Sequence, residues 1–176
     1  MTVMRRGCAM RGTVEALFTT PGAGRPMVPL ADAEAIVGRG LAGDRYHDGV
    51  GFYSDRPSEG GGREVTLIEA EELDRLRADH GIELSPVESR RNVVTRGIRL
   101  LDLIGARFRI GEAECEGVKI CEPCAYLEEL TGKPVNAPLV HRAGLRANIL
   151  VGGTLRVGDA VEEIQRSVVA EALPAR

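Results

Sequence analysis

Two cysteines separated by two residues are the part of this sequence whose residue types and spacing suggest chemistry. Cys121 and Cys124 enclose Glu122 and Pro123, and apolar residues precede them as they would at the end of a strand. Proline suits the first turn of a helix because it brings a preset φ and has no N–H group to leave unpaired. We therefore predict that Cys124 lies in the first turn of a short helix that ends near Gly132. The positive end of the helix dipole would there favour a thiolate over a thiol.

Four chemical interpretations of this cysteine pair remain open on the sequence alone. In the leading one, Cys124 is a single working sulfur and Cys121 is a packing or resolving thiol. In the second, the two form a redox pair of the thioredoxin kind, but no βαβ order follows them and no tryptophan precedes them. In the third they are half of a zinc site, whose other ligands His47 and His141 could supply. In the fourth both are buried packing residues.

Arginine residues adjoin predicted strand ends on either side of the cysteine pair. Arginine binds carboxylates and phosphates through a planar fork of N–H donors. Each of these side chains alone also fits an ordinary solvated surface residue, but as a set beside a thiolate they predict a pocket for an anionic ligand. The groups are Arg45 in Gly43-Asp44-Arg45, Arg63, Arg90-Arg91-Asn92, and Arg142 with Arg146 around Gly144.

The composition is that of an ordinary globular protein. The chain has 176 residues, 43% of them hydrophobic, which suffices for one domain with a proper core. Its net charge of −3 disfavours nucleic acid or an anionic membrane as the main partner. The basic N-terminus lacks the apolar segment of a secretory signal, and no apolar run is long enough to span a bilayer. We therefore expect a cytoplasmic protein without disulfides, in which Cys8 and Cys115 are inert.

Short alternating segments between glycine turns dominate the predicted secondary structure. The pattern at 105–113, a strand, a glycine turn and a second strand, recurs at 153–160. A helix is predicted over 69–79 and a short helical turn at 85–88. Many short strands and few helices predict a mainly β fold, namely a small closed or half-closed barrel with a few short helices. Further strands are predicted at 12–19, 27–30, 35–37, 65–68 and 92–95.

Residues 38–63 form a glycine-rich segment, and a loop of that length is usually functional or mobile. It contains the spacing Gly38-x-Gly40-x-x-Gly43 of the dinucleotide-binding motif. That motif requires an apolar helix directly after its glycines, whereas a charged stretch follows here. We therefore reject a Rossmann fold.

Six motifs occur in a characteristic order along the chain. They are Gly43-Asp44-Arg45, then residues 63–68, 91–98 and 103–111, then Pro123-Cys124, and finally residues 152–159. This ordered set resembles the MOSC domain, the module found at the C-terminus of molybdenum cofactor sulfurases and also as small stand-alone bacterial proteins. The resemblance implies a single MOSC domain over 1–176, with its core at about 12–164.

The resemblance also implies a function for particular residues. Cys124 matches the family's cysteine, which carries sulfur or ligates molybdenum, so Cys124 is the expected catalytic residue and a possible molybdenum ligand. The family's polar pocket, which holds the phosphate of the molybdenum cofactor (molybdopterin), is matched by Arg45, Arg63, Arg91, Asn92, Arg142 and Arg146.

The resemblance further implies a partner. The chain has no desulfurase module, so a separate cysteine desulfurase or molybdenum-enzyme partner is expected. Neither Lys119 nor Lys133 has a recognisable cofactor-binding context, so pyridoxal phosphate is not expected to bind covalently to this chain.

Two functions of different classes follow from the sequence. The leading hypothesis is a sulfur carrier or molybdenum-cofactor-handling protein, acting as a sulfur transferase or as a component that works with a partner. A thiolate at Cys124 suits both roles, because it is a soft metal ligand and a nucleophile that can accept a persulfide. The alternative is a non-catalytic β-barrel that binds an anionic small molecule or a partner protein and in which Cys124 is structural.

Overall fold

Strands are the predominant regular structure, with 38% of the residues in strands and 17% in helices. The computed structural model describes residues 10–55 and 60–166. The strands are β1 (Arg11–Thr19), β2 (Val28–Leu30), β3 (Asp32–Ile36), β4 (Gly40–Leu41), β5 (Val65–Glu69), β6 (Val93–Arg96), β7 (Ala106–Ile110), β8 (Ala113–Ile120), β9 (Leu145–Val151), β10 (Gly153–Arg156) and β11 (Ala160–Arg166).

Seven strands from the described part of the chain close a barrel. Their order is β1-β11-β7-β8-β9-β5-β6, and β6 pairs with β1 again. The pairing of Gly12 with Val161 joins β1 to β11 and completes the ring. Only β5 and β6 are parallel among the described strand pairs, because a helix crosses over between them. The predicted mainly β barrel is therefore confirmed.

Two short additions complete the sheets. Strand β2 pairs with the end of β1 from Leu17 to Thr19. Strands β10, β3 and β4 form a separate three-stranded sheet. Strand β3 begins at Asp32, three residues before the predicted start at residue 35, because its pairing with β10 extends to Arg156.

The helices lie between strands of the barrel. They are α1 (Ala70–His80), α2 (Ala125–Thr131) and α3 (Asn136–Leu139), with a 3₁₀ helix at Leu100–Leu103. Helices α1 and α2 are followed by the C-cap residues Gly81 and Gly132, each with the left-handed φ that glycine adopts without strain. Both helices, and both of these ends, were predicted from the sequence.

Two apolar clusters occupy the inside of the molecule. The first fills the barrel, with Phe108, Leu67 and Leu145 completely buried. The second lies beneath the helices and includes Leu73 and Leu127. Burying such a side chain contributes about 1.5–3 kcal/mol, so both clusters stabilise the fold.

Several predicted boundaries differ by a few residues from the observed ones. Strand β6 begins at Val93 and not at Asn92, whose side chain is used elsewhere. Strand β11 continues to Arg166, two residues beyond the predicted end of the domain core at about residue 164. The predicted inertness of Cys8 concerns a residue outside the described part of the chain. Among the described residues, no helix has the length and apolar character needed to cross a membrane.

Candidate functional site

An open cavity of about 80 Å³ lies at one end of the barrel. Thr66 of β5 and Arg146 of β9, which are paired on neighbouring strands, contribute to its wall. The segment from Cys121 to Cys124, called the cysteine segment below, follows β8 and forms another part of the wall. The lining residues are Ala23, Gly24, Arg45, Tyr46, Phe52, Tyr53, Arg63, Thr66, Arg90, Arg91, Cys121, Glu122, Cys124, Tyr126, Leu127 and Arg146.

The two cysteines of the segment differ in burial. Cys121 is only 3% exposed, whereas Cys124 is partly buried and both are free thiols. Cys124 has extended backbone angles and is the N-cap of α2, so the helix begins two residues after Pro123 and the prediction that Cys124 lies in its first turn is wrong. Pro123 consequently precedes the helix and does not occupy its first turn. The main-chain carbonyl of Cys124 accepts a hydrogen bond from the amide of Leu127 at 2.9 Å.

Arg91 holds the main chain of the cysteine segment in place. Its guanidinium group is buried and donates to the main-chain carbonyl oxygens of Cys121 at 3.2 Å and Glu122 at 3.4 Å. It also donates to the carbonyls of Ala143 at 3.0 Å and Ser89 at 3.2 Å. These carbonyls carry no net charge, so the positive charge of Arg91 remains available to an anion in the cavity.

Arg45 enters the cavity from the glycine-rich loop. It is buried, and its Nη1 lies 3.6 Å from Oδ1 of Asp44. The guanidinium group lies 4.9 Å from the centre of the Tyr46 ring, in cation–π geometry. It also donates to the carbonyl oxygen of Arg90 at 3.4 Å. These contacts hold the Arg45 side chain in one place at the wall.

Three further arginines line the cavity. Arg63 donates to the carbonyl oxygen of Tyr53. Arg90, which has an unusual left-handed φ of 59°, donates to the carbonyl oxygen of Arg25 at 2.9 Å. The side chain of Arg146 takes part in none of the hydrogen bonds or ion pairs found among the described residues, although it is partly buried.

Positive charge predominates in this cavity. Five arginines line it, and among the lining residues the only carboxylate is that of Glu122. That carboxylate is held by His141, whose main-chain amide and Nδ1 lie 2.8 Å and 2.6 Å from its oxygens. Burial and the neighbouring charge of Arg45 lower the pKa of Arg90. The cavity is therefore suited to an anion.

The structure brings most of the sequence-predicted site residues together and leaves two outside. Cys124, Arg45, Arg63, Arg91 and Arg146 line the cavity, whereas Asn92 and Arg142 do not. The Asn92 amide is buried and bonds to Thr66, Phe18 and Asp44, which uses its donors and its acceptor within the protein. The Arg142 guanidinium group donates to Glu72 of α1 at 3.4 Å.

The aromatic part of the cavity was missed in the sequence. All three tyrosines of the chain and Phe52 line it. The Phe52 ring stacks on that of Tyr126, with centroids 4.5 Å apart and planes inclined by 16°. Only 3% of the residues are aromatic, so the closeness of Tyr46, Phe52 and Tyr53 in the glycine-rich loop was the available signal.

The histidines do not complete a zinc site with the cysteine pair. Nδ1 of His47 lies 2.7 Å from Asp48, and His141 contacts Glu122 as described above. Within residues 10–55 and 60–166, no three His, Cys, Asp or Glu side chains are grouped as metal ligands would be. Two further ligands for the zinc interpretation are therefore missing from the described residues.

The fold and the cavity define a small β-barrel protein of the MOSC type. The model of the MOSC domain matches residues 45–162, and the chain belongs to this family. MOSC domains are related to the C-terminal domains of molybdenum cofactor sulfurases, and the family is associated with handling of the molybdenum cofactor. A comparison with curated proteins gave no match.

Solved structures share this fold at low sequence identity. The crystal structure of the YUAD protein from Bacillus subtilis has a TM-score of 0.73 and 17% identity, over 90% of this chain and 98% of that one. YiiM from Geobacillus stearothermophilus has a TM-score of 0.65 and 14% identity, over 90% and 78% of the two chains. YiiM from Escherichia coli has a TM-score of 0.64 and 17% identity, over 90% and 71%.

Proposed function

We propose that this protein carries sulfur or handles the molybdenum cofactor through Cys124, and that arginine side chains bind the anionic part of its ligand. The observation that carries the proposal is that Cys124 shares one cavity with Arg45, Arg63, Arg91 and Arg146. A partly buried thiol in a positively charged cavity is typical of reactive cysteines, whereas inert cysteines are fully buried.

The arginines give the cavity two kinds of positively charged group that can bind an anion. Arg45 and Arg91 are held by protein contacts; Asp44 partly offsets the charge of Arg45, whereas Arg91 bonds to neutral carbonyl groups and supplies fixed positive charge. Arg146 has no ion-pair partner among the described residues, so its planar fork can bind a phosphate without first breaking a protein contact. A phosphate-bearing ligand therefore fits this wall of the cavity.

The chemistry of the lining residues also suits each part of the molybdenum cofactor. The arginines would hold its phosphate, the faces of Tyr46, Phe52 and Tyr126 would contact a flat ring system, and the Cys124 sulfur is a soft donor suited to the metal. When bound, the cofactor would supply a redox-active metal centre. This chain would supply orientation, charge and a sulfur ligand.

Sulfur transfer to Cys124 requires a donor that carries a persulfide. The Cys124 thiolate attacks the outer sulfur of the donor's persulfide, and a sulfur–sulfur bond forms to Cys124 while the donor's bond breaks. The donor cysteine leaves as a thiolate, so the two proteins exchange one sulfur without net oxidation.

The expected partners follow from this reaction. The donor is a cysteine desulfurase, and the acceptor is a molybdenum enzyme or its cofactor, in keeping with the family's link to molybdenum-cofactor enzymes. The proposal includes a cytoplasmic location, because thiols that must react stay reduced there.

The proposal is tested by loading the protein with sulfur. The chain is incubated with a cysteine desulfurase, its pyridoxal phosphate and free cysteine, and persulfides are located by mass spectrometry. We expect a persulfide on Cys124 of the wild type and of Cys121→Ser, and none at this segment in Cys124→Ser. Molybdenum and pterin analysis of protein purified from a molybdate-supplied host tests the cofactor branch.

Other results would contradict the proposal. A wild-type protein whose Cys124 gains no sulfur, and that is purified without molybdenum or pterin, would instead be a non-catalytic anion-binding barrel with a structural cysteine. Rapid formation of a reversible Cys121–Cys124 disulfide would favour the redox-pair interpretation.

A further inference from the structure

The loop that follows α3 holds the cysteine segment in place. Within this loop, residues 140–144, the carbonyl oxygen of Gly144 accepts the amide hydrogen of Cys121 at 2.8 Å. The carbonyl oxygen of Ala143 accepts a hydrogen bond from Nε of Arg91 at 3.0 Å. Arg91 in turn donates to the carbonyl oxygens of Cys121 and Glu122. Loop 140–144 therefore determines where the main chain leading to Cys124 lies.

The loop is itself constrained by the barrel. Gly144 has a φ of 110°, and a Cβ atom there would collide with the carbonyl oxygen of Leu67 in β5. His141, with a φ of 60°, fixes the Glu122 carboxylate through its amide and its ring. Such a conformation persists only when surrounding contacts enforce it.

One ion pair attaches this loop to α1. Nη1 of Arg142 lies 3.4 Å from Oε2 of Glu72, whose side chain is only 6% exposed. Oε1 of the same carboxylate accepts from Arg75 at 3.3 Å. A buried carboxylate requires partners that offset its lost hydration, so Glu72 binds both arginines, one on its own helix and one on the loop.

We infer that Arg142 is a positioning residue for Cys124: its ion pair with Glu72 holds loop 140–144 against α1, and the loop fixes the Cys121–Glu122 main chain at the cavity. This inference rests on the proposed function, since it treats Cys124 as the reacting sulfur. It also gives Arg142 a role different from the ligand contact predicted from the sequence.

The chain offers a matched control for this inference. Arg75 and Arg142 bind the same carboxylate at nearly the same distance, and their side chains are 46% and 47% exposed. Arg142 belongs to the loop, whereas Arg75 lies on α1. Arg75→Gln and Arg142→Gln therefore remove the same charge and one bond to Glu72, but only the second detaches the loop.

The first measurement is hydrogen exchange at the Cys121 amide, which is bonded to Gly144. In Arg142→Gln the exchange rate should rise on the order of tenfold, because loop opening becomes more frequent. In Arg75→Gln the rate should stay near that of the wild type. Arg142→Lys, which keeps the charge, should restore most of the protection.

The second measurement compares alkylation of Cys124 by iodoacetate, which is an anion, with alkylation by neutral iodoacetamide. A thiol held beside the arginines should prefer the anion, and Arg142→Gln should reduce this preference. The variant Glu72→Gln separates an effect of loop position on Cys124 from an effect of the local charge alone. Removing a negative charge should raise the preference if only the local field matters, whereas detachment of the loop should lower it.

The outcomes distinguish this inference from the proposed function. Faster Cys121 exchange and a lower anion preference in Arg142→Gln and Glu72→Gln, but not in Arg75→Gln, would support the positioning role. Equal behaviour of Arg142→Gln and Arg75→Gln would overturn it, even if Cys124 accepts sulfur. If Arg142→Gln fails to fold, the sign of the change in Glu72→Gln decides. Two results together would support the loop attachment and overturn the proposed function: faster exchange of the Cys121 amide in Arg142→Gln, and a wild-type protein that accepts no sulfur.

Discussion

The side-chain amide of Asn92 donates a hydrogen bond to Oδ1 of Asp44 at 3.0 Å. This contact joins the residue before β6 to the residue before Arg45, 48 positions apart in the chain. The same Asp44 oxygen lies 3.6 Å from the guanidinium group of Arg45. Asn92 therefore supports the cavity wall through Asp44, without lining the cavity itself.

Replacing Asn92 should destabilise the protein substantially. Its side chain also accepts from Thr66 Oγ1 at 2.9 Å and donates to the Phe18 carbonyl at 3.2 Å. Asn92→Ala would leave these buried groups without partners, at a cost of roughly 2–4 kcal/mol in the free energy of unfolding, measured by chemical denaturation.

The matched control for that change is Asn136→Ala. The Asn136 side chain has no hydrogen bond among the described residues, so its removal should change the free energy of unfolding by less than about 0.5 kcal/mol. Equal stability of the two variants would show that the contacts of Asn92 contribute little.

Removal of Arg146 should weaken anion binding. A guanidinium contact to phosphate contributes roughly 1.5–3 kcal/mol, so Arg146→Gln should bind inorganic phosphate at least about tenfold more weakly than the wild type does. Titration calorimetry measures the affinity, and the rise of Tm with phosphate concentration checks it.

Arg109 provides the comparison for Arg146. It lies on β7 and pairs with Glu114 at 2.8 Å, outside the cavity lining. Arg109→Gln removes the same charge and should leave phosphate affinity nearly unchanged. Similar losses in both variants would mean that phosphate responds to overall charge and not to a site.

The Glu88–Lys133 pair should make stability depend on acid pH. The hydrogen bond from Lys133, at 2.6 Å, lowers the pKa of Glu88 to about 2 from its usual 4.5, with further help from Ser85. A carboxyl group whose pKa is lower in the folded state stabilises the fold at pH values above its pKa in the unfolded state. This contribution disappears as pH falls from about 4.5 toward about 2.

Lys133→Met should therefore lower the free energy of unfolding by on the order of 1 kcal/mol at pH 7, a modest amount because both side chains are about one-third exposed. The difference from the wild type should shrink below about pH 4.5. Denaturation curves from pH 2 to 7 test this, and a difference that grows toward acid pH would contradict the assignment. Arg77→Gln, which breaks an exposed pair with Glu83, should show no such trend.

The cysteines should differ in their reaction with iodoacetamide. Burial raises the pKa of Cys115 to about 12, so it should stay unmodified in the native protein at pH 8. Cys124 is partly exposed at the cavity and should react before the buried Cys121. Peptide mass spectrometry follows each site, and in urea Cys115 and Cys121 should react as well as Cys124. Native modification of Cys121 before Cys124 would contradict this order.

Much of the fold was predictable because the responsible signals are local. Alternating burial along residues 11–15 and the helical spacing of Leu73 and Leu76 are consequences of strand and helix periods, so they are visible in short windows. The motifs that resemble the MOSC domain indicated the barrel and the family for the same reason. The arginines and Cys124 were recognisable by their chemistry, and the functional roles assigned to them stay predictions.

The sequence by itself determined the family, the barrel class and the identity of the cysteine segment, since these depend on local periods and motifs. Only the tertiary structure decided which polar residues reach the cavity. Arg142 contacts Glu72 on a helix 70 positions earlier, and Phe52 stacks on Tyr126. Such contacts arise when closure of the barrel brings distant segments together, and the position of a side chain then depends on neighbours that no sequence window contains.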